Sequence, residues 1–184
     1  KEAAILNVGK PEEIEPFDRK MKKYTSFARF QLRKDLPEAE QQKLRDSLAA
    51  YRRVIVTVTE QRLAPYQSFF AKFAPESPVI YVFYTPAKSM LQIQRAVSAA
   101  EAVVLAHASR DDVQERVADL LFGKATADGR LSASIGGLFP TGSGVTITPH
   151  TPFHFVPEEY GMKSEVLRRI DTIALEGIKE GAYR

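Results

Sequence analysis

Four short runs of aliphatic and β-branched residues constrain this chain most: AAILNV (3–8), VIVTV (54–58), VIYVFY (79–84) and AVVLAH (102–107). Their apolar residues are nearly continuous. A strand with one face in water alternates, because successive side chains point to opposite faces. A strand covered by helices on both faces is apolar throughout, as in a parallel sheet. A fifth run, FARFQL (27–32), does alternate and belongs towards an edge.

Helical periods separate the runs. Leu44, Leu48 and Tyr51 recur at helical spacing, with Asp35 and Glu38 ahead of them at the spacing of a capping box. Leu63, Tyr66, Phe70 and Phe73 form the next stripe, then Met90, Ile93 and Val97. Val113, Val117, Leu120 and Leu121 form the last, with Ser109 as the expected cap and Asp112 three residues on. Pro65 and Pro86 stand at helix starts, where a missing N–H does no harm. Strand and helix in alternation predict an α/β fold: an open, mostly parallel, doubly wound sheet of about five to six strands, with helices on both faces and right-handed crossovers. At 184 residues there is room for one ordinary domain with a proper core.

After Ile135 the texture changes. Residues 136–161 hold five of the ten glycines and four of the eleven prolines, which forbids a long helix. The expected organisation is an α/β domain over 1–140, a connector over 141–162 with a short strand near VTIT, and an amphipathic helix from 163 to 184 that opens a next domain. Lys1 leads directly into a strand-like segment, so the chain is expected to be a piece of a longer protein.

Several chemistries lack their residues. There is no cysteine for a disulfide, a thiol nucleophile or a Cys-based zinc site. HTPFH (150–154) spaces two histidines four apart, but Pro152 breaks the helix that would align them, and no metal site is expected. No serine begins S-x-x-K, TGSG (141–144) fails G-x-S-x-G at Thr141, and the first strand exits through NVGKPEE without a G-x-G-x-x-G. No cofactor is expected. The net charge is +3, and its densest basic cluster, RKMKK (19–23), reads as a solvated helix face and not a nucleic-acid surface. No apolar run approaches the roughly 20 residues that span a bilayer.

The stretch LLFGKATADGRL (120–131) closes the last helix: Gly123 suits a left-handed exit, Lys124 sits near the carbonyl end of the helix dipole, and GRLSASI returns as a strand. In the longer form VADLLFGKATADGRLSASI (117–135) it resembles the signature near the end of the second domain of glycoside hydrolase family 3. Leu121, Phe122, Gly123, Lys124, Gly129, Arg130 and Leu131 match; Ala127 and Ser132 stand where that family usually has proline. The likeness covers about residues 1–140. The tail EVLRRIDTIALEGIKEGAY (165–183) is similar to the opening helix of a β-lactamase-like serine hydrolase domain. Together they imply an accessory domain of an exported (periplasmic or cell-surface), retaining β-glycosidase of the β-N-acetylhexosaminidase type. Its partners would be an upstream (β/α)8 barrel carrying the nucleophile, a downstream serine-hydrolase-like domain, and a carbohydrate substrate. No catalytic residue of that family transfers onto this chain.

Ligands of open α/β sheets gather beyond the carboxyl ends of the strands. Those ends offer Thr59, Glu60, Gln61 and Arg62, then Tyr84 and Thr85, then His107, Ser109 and Arg110. Glu60, His107 and Arg110 are the substrate-binding candidates, whereas Arg130 reads as structural. The competing expectation is an independent flavodoxin-like module that binds a small ligand or a protein. A purely structural spacer between two catalytic domains is a third.

Overall fold

A computed structural model describes residues 2–34, 36–149 and 165–166. The chain divides into two units, Lys1–Pro149 and His150–Arg184. In the second unit only Glu165 and Val166 are described, both helical; the HTPFH pair and the rest of the expected 163–184 helix lie outside the described residues.

In the first unit, β1 (Ala3–Val8), α1 (Glu15–Met21), β2 (Ala28–Leu32), α2 (Glu38–Ala49), β3 (Arg53–Val58), α3 (Gln67–Lys72), β4 (Val79–Phe83), α4 (Gln94–Ser98), β5 (Ala102–Leu105) and α5 (Asp111–Leu121) follow one another. Short 3-10 turns lead into α1, α3 and α4. The strands pair in the order β2-β1-β3-β4-β5, every neighbour parallel, with Ile5 opposite Ile55, Val56 opposite Tyr81 and Phe83 opposite Leu105. This is the doubly wound α/β sheet of the sequence reading, with five strands and FARFQL at an edge. Among the described residues no helix is long and apolar enough to cross a membrane.

Pleating splits each apolar run between two cores. Leu6, Val8, Val56, Val58, Tyr81 and Phe83 face the layer built by Leu48 of α2, Phe69 and Phe70 of α3, and Ile93 and Val97 around α4. Ile5, Ile55 and Val82 face the opposite layer, with Phe17 and Met21 of α1 and Val117 and Ala118 of α5. Continuous apolar runs are needed for this reason: both faces are dry. The stripe Leu63, Tyr66, Phe70, Phe73 is buried in full, and Phe69 stacks on Phe73 with ring centroids 5.3 Å apart. The basic cluster lies on and just after α1. Met21 is its only buried member, and Arg19 and Lys20 pair with Glu115 (3.2 Å) and Asp119 (3.0 Å) of α5.

Pro65 and Pro86 stand at the starts of the turns into α3 and α4, as expected, but two other helix starts differ from expectation. Helix α2 begins after Pro37, in extended conformation and without a side-chain cap; Asp35 lies outside the described residues. Glu38 does not cap, because its carboxylate is taken by Arg45 (2.7 Å) and Lys72 (2.9 Å). Helix α5 begins after Arg110, and Ser109 offers only its carbonyl, to Gln114 Nε2 at 2.7 Å. The helix exit matches its expectation. Gly123 has φ +65, its N–H donates to Leu120 O (3.0 Å), and the Lys124 N–H donates to Asp119 O (2.8 Å), the two bonds of a Schellman motif.

Beyond Lys124 neither GRLSASI nor VTIT forms a strand. Among the described residues there, only isolated antiparallel bridges occur, Ala127 with Ile147 and Ile135 with Phe139. The glycines explain this. Gly136 and Gly142 have positive φ, and Gly144 lies so close to Gly129 O that a Cβ would come within 2.2 Å, so the arm folds on itself and makes no ladder. Its apolar residues Leu131, Ile135, Leu138 and Phe139 pack on the α2–α4 core. Arg130 ties its limbs together, donating to Thr146 Oγ1 at 2.8 Å.

Candidate functional site

Strand order changes direction between β1 and β3, since the chain winds from β1 to β2 on one side and then crosses to β3 on the other. Loops leave such a switch point in opposite directions and open a crevice at the carboxyl ends. Here that crevice holds about 350 Å³ and is lined by Gly9, Lys10, Glu13, Thr59, Glu60, Gln61 and Arg62.

Its walls are held from beneath by a polar cluster inside the sheet. Asn7, fully buried, accepts a hydrogen bond from Thr57 Oγ1 (3.1 Å) and donates to Gln31 Oε1 (2.9 Å) and Lys10 O (3.2 Å). Gln31 Nε2 donates to Gly9 O at 2.7 Å. Neighbouring strands β2, β1 and β3 thus fix the backbone of two lining residues. The amides of Thr59 and Glu60 both donate to Val8 O, bringing the two loops together. Gly9 fits only without a side chain: its φ is +139, and a Cβ would meet Thr59 Oγ1 at 1.9 Å. The far side is held by Gln92, which accepts from the Leu63 amide and donates to Gln61 O, each at 2.8 Å.

Glu60 lines this crevice, with its carboxylate accepting from the Arg62 amide at 3.1 Å. With Lys10, Arg62 and Glu13 it makes a wall of mixed charge with no aromatic ring and no enclosed apolar floor. His107 and Arg110 do not line it. They leave β5, two strands along from β3, which places them on the same rim about 10 Å away by strand spacing. Both are exposed, and Arg110 is engaged by its neighbour Asp112 at 2.8 Å, a bond that holds the Asp112 carboxyl below its ordinary range. Tyr84 and Thr85 at the end of β4 are buried, 4% and 1% exposed, and offer nothing to the rim. Burial, with Asp18 nearby, pushes the Tyr84 hydroxyl well above its usual range.

A larger concavity, about 540 Å³, runs along the outer face of α5 past Asp112, Glu115, Asp119 and Lys124. Its carboxylates already have partners: Glu115 with Arg19, Asp112 with Arg110, and Asp119 with Lys20 and the Tyr24 hydroxyl (2.5 Å). It is a stitched helix surface. Among the described residues no group of three or more His, Asp or Glu side chains is placed to hold a metal ion.

Asn7, Gln31 and Gln92 escape sequence reasoning as positioning residues, although Asn7 carries a signal as the one polar residue in the run AAILNV. No protein-family model matches the chain, and no curated protein or solved structure matches it either.

Proposed function

We propose that this chain is an accessory α/β domain of a retaining β-glycosidase of the β-N-acetylhexosaminidase type, inactive alone, whose carboxyl-end rim supports a sugar site on an upstream (β/α)8 barrel. The family resemblance at residues 117–135 supplies the class. The observation that supports the accessory role is the shape of the rim. A self-sufficient small-molecule site is a concave, mostly apolar pocket that covers most of its ligand. Here the strand ends present an open polar crevice and exposed residues beside it, a surface that becomes a site when a second surface closes over it.

One observation favours the rival, an independent flavodoxin-like module: the strand order 2-1-3-4-5 with a crevice at the β1/β3 switch point. Against a phosphate-binding version, Gly9 is followed by Lys10 and then Pro11, which has no N–H, and by a single 3-10 turn of four residues.

Hydrolysis of a chromogenic N-acetyl-β-glucosaminide separates the two. The expected outcome is no turnover by this chain and turnover by a chain extended upstream through the barrel, with loss on deletion of residues 1–149. Full activity of the barrel without this unit rejects the accessory role.

A further inference from the structure

Among the described residues one non-glycine side chain sits at positive φ: His107, at +63°. The Ala108 N–H donates to Ala106 O at 2.8 Å, closing a three-residue turn around it. The form of that turn with positive φ is the rare and strained one. Strain of this kind persists where surrounding structure enforces it, and it gathers at functional sites.

Among the described residues no polar contact of the side chain offsets it. The imidazole is exposed and has no hydrogen-bond or ion-pair partner among the described residues. Glycine would adopt this backbone without steric penalty. The location is specific as well. The β4–β5 ladder stays intact up to the Ala106 N–H, which donates to Phe83 O at 2.8 Å, and the turn follows at once. It therefore aims one ring outward from the carboxyl edge of the sheet, on the rim that Glu60 shares.

We infer that His107 is a substrate-contacting residue of the composite glycosidase site, its imidazole presented by this turn to hydrogen-bond a polar group of the N-acetylhexosaminide held on the barrel. The inference rests on the accessory reading above and assigns no proton transfer to the ring. It makes His107 a binding residue, distinct from the crevice at β1 and β3.

Two variants test it, each measured in the chain and in the upstream-extended chain. His107→Gly removes ring and strain together; His107→Asn keeps a hydrogen-bonding side chain that tolerates positive φ. The expected result for His107→Gly is a melting temperature equal to or above the parent's, with kcat/KM on the chromogenic N-acetyl-β-glucosaminide about tenfold lower through KM, the size of one lost hydrogen bond. His107→Asn should recover part of that loss. A His107→Gly variant that keeps kcat/KM within about twofold overturns the inference and leaves the accessory reading standing. A His107→Gly variant that melts well below the parent also overturns it, since the ring would then be a structural contact. An unmodified extended chain inactive on β-glycosides removes the accessory reading, and this inference with it.

Discussion

Asp18 shows how one buried group sets a pH response. It is 4% exposed; one carboxylate oxygen pairs with Arg29 at 2.9 Å, and the other has no partner among the described residues. Burial lifts its carboxyl above the ordinary 3.8, and Arg29 and Lys22 pull it down. The Arg29 side chain is 40% exposed, so water screens its attraction and burial prevails. A raised carboxyl pKa means that the unfolded chain ionises first as pH rises. The folded state therefore loses stability from pH 3.8 up to the raised folded value. Asp18→Asn removes that dependence. Between about pH 3 and about pH 7 the melting temperature of the parent should fall relative to that of the variant, whatever slope the other carboxylates give to both. A constant difference between the two across this window would reject burial as the cause. Little of this was legible in the sequence, where Asp18 is one of 23 acidic residues and its depth depends on α1 lying against the sheet. Glu60 was legible, because the rule that ligands gather at strand ends needs only the strands to be located. Asn7 and Gln31 were not legible as supports, since they meet across 24 residues only once strand order is known.

At the scale of elements, legibility followed whichever force was in charge. Strands are fixed by burial on both faces, and their residues announce it. Helix starts are fixed by local hydrogen bonding, where several residues can serve. Ser109 and Glu38 had the right spacing, yet α5 starts one residue later, after Arg110, and the Glu38 carboxylate goes to Arg45 and Lys72. Helix α1 showed no apolar stripe because it has seven residues, and its buried side chains, Pro16, Phe17, Asp18 and Met21, are too few to establish a period. Where only glycine is free to adopt the backbone, as at Gly123, the sequence was decisive. Gly123→Ala puts a Cβ into the left-handed exit of α5 and should cost about 1–2 kcal/mol. A unit of this size should melt roughly 2–8 °C lower, with unchanged secondary structure by circular dichroism. No shift would mean that the exit relaxes without loss.

At the scale of the whole molecule, stability should be graded across the sheet. Every residue of β1 after Ala3 is buried, as are those of β3 after Arg53, whereas β5 is exposed or half-buried along its length and β2 buries only Leu32. Hydrogen exchange should rank the strands accordingly. Amides of β1, β3 and β4 should open only with the whole unit, and those of β5 and β2 earlier, by local openings. Uniform protection across all five strands would contradict this grading. The turn at His107 follows β5, one of these two less buried strands.

The seam between α1 and α5 has a consequence of its own. Gln114 of α5 accepts from the Phe17 amide at 3.3 Å and donates to Glu13 O at 2.8 Å, joining residues about 100 positions apart. Until α5 leaves the ribosome, the cluster of Ile5, Phe17, Ile55 and Val82 lacks Val117 and Ala118. For Phe17, about 100 residues ahead of α5, this lasts about 5–20 s at common rates of synthesis, and less for Val82. During synthesis this unit therefore carries an unfinished apolar face until its fifth helix has followed, a delay that a fold whose neighbours in space are neighbours in sequence does not have.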